Sequence, residues 1–252
     1  FDEMNDNVND GGKGPREGLG YAMDESLRHK KGLLTLTVMR GGKSVNLKIQ
    51  LPELPGLEEN YPYFCARSEI MVTKMADWLV TNRKPDGLWG HHVLNATAAL
   101  GLLATGEAQY RPIVREVAHS YIDRDLRGGG LPMWGHVYIG TFLCEYYLAS
   151  TDQAVLPKIK DIVNTMANEA TAENGRHAHG VTQSPGYGGL GINIITSHVY
   201  LTWVLAQKCG ITVPEAPYQA TLKWLLASPS PGGGTGYIGA YGHGDGSGRT
   251  GL

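Results

Sequence analysis

What the chain lacks narrows its class before any motif is read. Its three cysteines, Cys65, Cys144 and Cys209, stand far apart with no C-x-x-C spacing. So odd and sparse a set makes neither a disulfide framework nor a zinc knuckle, and the thiols read as buried and free. No sign of charge dominates either. The 22 basic residues meet 24 acidic ones, which argues against the electrostatic footprint of a nucleic-acid binder and against a polyanion. No apolar run is long enough for a transmembrane helix. A leader peptide is also missing, but the chain starts at Phe1 and stops at Leu252 inside a repeat, so it reads as a fragment and that absence carries no information.

Glycine is abundant, with 35 in 252 residues, about twice the usual share. It follows no collagen-like period and gathers in loops as a turn former. The length fits one or two domains, and 42% hydrophobic content is enough for a substantial core.

One block recurs: an aromatic-Gly step, often followed by histidine, that opens an apolar helix. It stands at Trp89-Gly90-His91, Trp134-Gly135-His136, Tyr187-Gly188-Gly189 and Tyr241-Gly242-His243, at intervals of 45, 53 and 54 residues. A period of this size marks stacked supersecondary units that cannot bury a core alone.

The first fifty residues differ. A polar loop leads to a helix over about 15–31, with Leu19, Ala22, Met23, Ser26 and Leu27 on one face. Leu34, Leu36 and Val38 then alternate with Thr35, Thr37 and Met39. After Arg40-Gly41-Gly42-Lys43 the alternation resumes from Val45 to Leu51, which predicts a hairpin. Residues 54–66 are proline-punctuated and aromatic and read as a packed linker.

From Arg67 two kinds of helix alternate. Stretches 67–83, 111–124, 155–170 and 215–227 are amphipathic, with Pro112, Pro157 and Pro217 near helix starts. Stretches 93–104, 137–149 and 192–207 are apolar almost all round and so read as buried. Two alternating classes predict an inner and an outer ring, an α/α toroid. A HEAT-like solenoid is the competing architecture.

Two resemblances follow from these residues. Gly20-Tyr21-Ala22-Met23-Asp24-Glu25 with Leu34 through Lys43 and the strand to Leu51 resembles the C-terminal half of a PDZ domain, over residues 1–53. The resemblance implies capture of a peptide or protein partner by the intact domain, through a loop upstream of Phe1. A small packing module is the other reading. Asp86-Gly87-Leu88-Trp89-Gly90, Ala98 through Gly106 and Tyr138 through Ala149 look like a bacterial family of unknown function. In that family a PDZ-like unit precedes a toroid similar to those of terpenoid cyclases and prenyltransferases. The resemblance implies a toroid over 67–252, cut short at its C-terminus, and export to the periplasm or beyond. It names no activity, because such toroids host cyclases, lyases, glycosidases and binding proteins alike. The acidic D-x-D-D of squalene-type cyclases has only Asp123-Arg124-Asp125 as a counterpart, on an outer helix, and no zinc set of the prenyltransferase kind is present.

Candidate site residues follow from position. Loops preceding successive inner helices would converge on one rim, where helix N-termini offer free N–H groups. His91, His92, His136 and His243 there could ligate a divalent metal or shuttle protons, or simply pack the same helix start in each repeat. Trp89, Trp134, Tyr187 and Tyr241, with His177 and His179, would line a sugar or an apolar chain. Glu145 stands in an otherwise apolar helix, where burial would suit it to general-acid work; a hydrogen-bonded structural carboxylate is the alternative. Asp86 and Asp245 could supply a second carboxylate, although Asp-Gly is ordinary turn chemistry. Asn95-Ala96-Thr97 matches a glycosylation sequon but falls in a buried helix and is set aside. Two functions stay open: an exported enzyme acting on a carbohydrate or similar extended substrate, and a non-catalytic scaffold for protein or glycan.

Overall fold

The computed structural model describes residues 15–29, 31–52, 55, 59–128, 131–169, 174–180, 191–229 and 235–237. It is mainly helical with one two-stranded sheet. The chain divides into two compact units, Phe1–Lys74 and Met75–Leu252.

In the first unit, helix α1 (Pro15–His29) precedes β1 (Leu33–Arg40) and β2 (Lys43–Gln50), paired antiparallel from Arg40↔Lys43 to Leu33↔Gln50. Gly41 and Gly42 connect them at φ +57° and +73°. Two successive positive φ angles make the mirror-image turn whose twist matches that of paired strands, and glycine adopts them without strain. Leu34 is buried, whereas Val45, Leu47 and Ile49 of β2 are exposed.

Helix α2 (Ala66–Thr81) carries the division between the units. In the second unit α3 (His92–Ala104), α5 (Pro132–Ser150) and α7 (Asn193–Lys208) lie side by side in that order. Helix α4 (Arg111–His119) packs on α3 and α5, α6 (Leu156–Glu169) on α5 and α7, and α8 (Glu215–Ala227) on α7. The apolar stretches are therefore the central helices and the amphipathic ones flank them. Helix α5 packs against α3, α4, α6 and α7 and buries ten residues, among them Met133, Ile139, Phe142 and Leu143, leaving the face of Trp134, Tyr138, Thr141 and Glu145 half-covered. All three cysteines are buried, and none is in a disulfide.

Two boundaries depart from the sequence reading. Helix α4 stops at His119, because Tyr121 turns into the core and is fully buried there. Helix α5 starts five residues before the apolar run, at Pro132, whose fixed φ and missing N–H suit a first turn. Trp134, Gly135 and His136 are thus helical, while Trp89, Gly90 and His91 precede α3, so the recurring step occupies two different structural positions.

Close approach at α5 depends on glycine. A Cβ at Gly140 would stand 2.7 Å from Thr202 Cγ2 and 3.0 Å from Ile162 Cγ2, whereas one at Gly101 of α3 meets nothing nearer than Leu79 at 3.9 Å. Gly140→Ala is expected to lower unfolding stability by about 1–3 kcal/mol through overpacking. Gly101→Ala should raise it by up to about 1 kcal/mol through helix propensity. Urea titration of both variants reads the opposite signs; equal effects would show that α5 and α7 can separate without cost.

Candidate functional site

The N-terminal end of α3 is organised by an amide. Asn95, fully buried, accepts the backbone N–H groups of Trp89 and Gly90 on Oδ1, both at 2.9 Å. Its Nδ2 donates to Gly90 O at 3.0 Å and to Tyr121 Oη at 2.8 Å. All the hydrogen-bonding capacity of this side chain goes into holding the aromatic-Gly step. The same Tyr121 Oη lies 3.2 Å from His92 Nδ1, which joins the His92 ring to this network. Burial first, then the charge of Arg124 and the neighbouring His91, hold the His92 pKa below its ordinary value, so the ring is neutral near pH 7.

At the start of α5 the Trp134 indole donates to His179 Nδ1 at 2.6 Å. The rings of His179, Trp134, Tyr138 and His198 form one stack, with centroids 5.8, 6.1 and 5.1 Å apart and interplanar angles of 19°, 13° and 25°. The stack ties the 174–180 segment to α5 and α7. Gly135 brings this end against α3, since a Cβ there would come 3.1 Å from His92 Cδ2. Between the two helix starts lies a cleft of about 790 Å³, lined by His91, His92, Val93, Leu131, Pro132 and Trp134 with Gly128 and Gly135.

The other candidates separate. Trp89 is only 7% exposed, donates its indole N–H to Leu79 O at 2.8 Å and lies under the Arg83 guanidinium, so it packs. His136 is buried and its Nδ1 lies 2.9 Å from Pro132 O. His177 is fully buried beside Thr221 Oγ1 at 3.1 Å, edge-on to Trp203. Asp86 is exposed and accepts the Leu88 N–H at 3.1 Å, a turn role. Glu145 is half-buried rather than enclosed, and lies eleven residues beyond Trp134 on α5, about 16 Å along the axis. It does not reach the cleft. Among the described residues no three His, Cys, Asp or Glu side chains gather as a metal site. Tyr187, Tyr241, His243 and Asp245 lie outside the described residues.

A family model described as a domain of unknown function (DUF6288) matches residues 68–233. The chain belongs to this family. No curated protein and no solved structure gives a match. The DUF6288 stretch runs from α2 to just beyond α8, so it contains every residue lining the cleft and leaves the hairpin outside.

Sequence reasoning missed Asn95, Tyr121, Tyr138 and His198. A signal existed for two of them. Asn95 is polar within an apolar helix, the criterion that singled out Glu145, and Tyr138 follows Trp134 by four residues, one helical turn.

Asn95→Ala would orphan two buried N–H groups and a carbonyl. It is expected to cost about 2–4 kcal/mol in chemical denaturation. A pH effect follows from His177, which burial alone pushes down to about 3. Between that value and about 6.5 the unfolded chain binds a proton that the folded chain refuses. Stability present above pH 6.5 is therefore lost as pH falls, at about 1.4 kcal/mol per unit for this group. The buried His136 and His179 shift in the same direction. Denaturation between pH 7 and 4 should show this slope, reduced by His177→Gln; an unchanged slope would assign it to other groups.

Proposed function

We propose that the helical unit is a segment of an α/α toroid and that the cleft between α3 and α5 is a non-catalytic binding site for a glycan or a similar extended ligand. The observation that carries the reading is Trp134. It is half-buried at the cleft, with its ring in a stack with Tyr138 and His179 and its N–H already engaged. A rigid aromatic wall beside apolar Val93, Leu131 and Pro132 suits the C–H face of a sugar ring. No Asp or Glu stands among the described residues that line the cleft. Glycoside hydrolysis ordinarily needs two carboxylates flanking the bond, so that chemistry is not favoured.

An enzymatic reading has one observation behind it, His92, which is neutral near pH 7 and therefore a competent base. The toroid assignment is supported by the alternation of central apolar and flanking amphipathic helices. The order α1, β1, β2 supports a PDZ-like unit that takes a peptide or protein partner when whole. Export is part of the same proposal and rests on the family resemblance.

Titration with cello-, xylo-, chito- and galacturono-oligosaccharides, followed by tryptophan fluorescence and calorimetry, tests this. One class should bind, and Trp134→Ala should weaken it at least about tenfold. Absence of binding at millimolar concentration, or undiminished binding by the variant, would overturn the proposal. Cleavage of an oligosaccharide, lost in His92→Gln, would replace it with the enzymatic reading.

A further inference from the structure

A second cavity lies at the opposite end of the central helices, and its chemistry differs. On α4, Arg111, Arg115 and His119 recur every four residues and so form one stripe along the helix, while Val114, Val117 and Ala118 face the core. Like charges at this spacing repel, and Arg111 stands in the first turn, where the helix dipole also disfavours a cation. An anion bound beside the two arginines would relieve both effects.

The carboxylates nearby are occupied elsewhere. Asp152 Oδ2 lies 2.7 Å from His119 Nε2 and accepts the Tyr146 hydroxyl at 2.8 Å, while Oδ1 accepts the Ala154 N–H at 3.1 Å. It also forms a longer ion pair with Arg115 Nε, at 3.8 Å. Glu116 pairs with Arg83 at 2.8 Å. Glu107 also lines the cavity, and among the described residues it makes no ion pair with either arginine. Arg111 has no ion pair among the described residues, and neither guanidinium donates a hydrogen bond to a described residue.

Both arginines line a cavity of about 370 Å³ whose walls are otherwise largely apolar, formed by Leu102, Leu103, Val114, Ala149 and the Tyr146 ring. They also border a more open depression of about 580 Å³, with Pro112, Glu116 and His119. An apolar chamber of this size with a few convergent polar groups is the form of a small-molecule site. A guanidinium presents two parallel N–H donors that match a carboxylate.

We propose that this cavity binds a small carboxylate with an apolar body, its head group held by Arg111 and Arg115 and its body against Leu102, Leu103 and Val114. The Asp152–His119–Tyr146 network is a positioning element. By engaging Asp152 in three hydrogen bonds, it keeps that carboxylate from closing fully on Arg115. Glu107 favours a ligand whose charge sits at one end, away from it. The site shares no residue with the cleft at the start of α3 and α5, so the two proposals stand or fall separately.

The test is ligand-observed NMR and calorimetry on the full chain with 4-phenylbutyrate and its uncharged analogue 4-phenylbutanol. The acid should bind with a dissociation constant below about 1 mM, and the alcohol at least about tenfold more weakly. Arg111→Gln/Arg115→Gln should remove the preference for the acid. Both positions are exposed, so the fold should be retained, which circular dichroism checks. Arg111→Lys/Arg115→Lys, which keeps the charge and loses the fork, should fall between the two and serves if the glutamine variant does not fold. Equal binding of acid and alcohol, unchanged affinity in the variants, or no binding of the acid at about 10 mM would each overturn the proposal.

Discussion

Helix α5 has to be buried over most of its surface, and the rest of the helical unit is arranged to let that happen. A nineteen-residue helix in contact with four neighbours tolerates few bulky residues where backbones approach closely. Gly135 takes the His92 ring and Gly140 takes Thr202 and Ile162. Met133, Ile139, Phe142 and Leu143 carry the large side chains that fill the core. Both cavities are products of this arrangement. One opens where α5 begins beside α3, and the other where α5 ends beneath α4.

The polar groups within this apolar setting are engaged in ways that assign each a task. Asn95 binds backbone on two sides and a phenol on a third, and so converts a flexible aromatic-Gly step into a fixed helix entry. Asp152 does the corresponding work at the other end, joining α4, α5 and the turn before α6. Its carboxyl is held down to about 2, chiefly by the hydrogen bond with His119 and then by that from Tyr146. Each network leaves neighbouring groups without such an engagement. At the first end one such group is the His91 side chain, and at the second it is Arg111.

Much of this was legible in the sequence because it depends on local pattern. The contrast between apolar and amphipathic stretches marks α3, α5 and α7 as central, and two glycines between alternating runs mark the hairpin turn. What depends on tertiary contact was not legible. Trp134-Gly135-His136 looks like a loop by analogy with Trp89-Gly90-His91, and only Pro132 hints that the helix has already begun. Glu145 has apolar sequence neighbours on both sides, but whether it is enclosed depends on which face of α5 is covered, and there the cover is incomplete. The Asn95–Tyr121 bond spans 26 residues, and the stack from His179 to His198 draws on three separate segments. No spacing within one stretch encodes such partners.

The contact between Gly135 and the His92 ring has a consequence for how the cleft could diversify. It acts as a spacer of fixed thickness between the starts of two helices, because one side is bare backbone with no rotamer to adjust. Changes at Val93, Leu131 or Pro132 would resurface the walls without moving them apart, whereas a side chain at 135 would press on the His92 ring and through it on the amide network. Selectivity and width are thereby separated within one groove. Related chains could recognise different ligands while keeping the same gap.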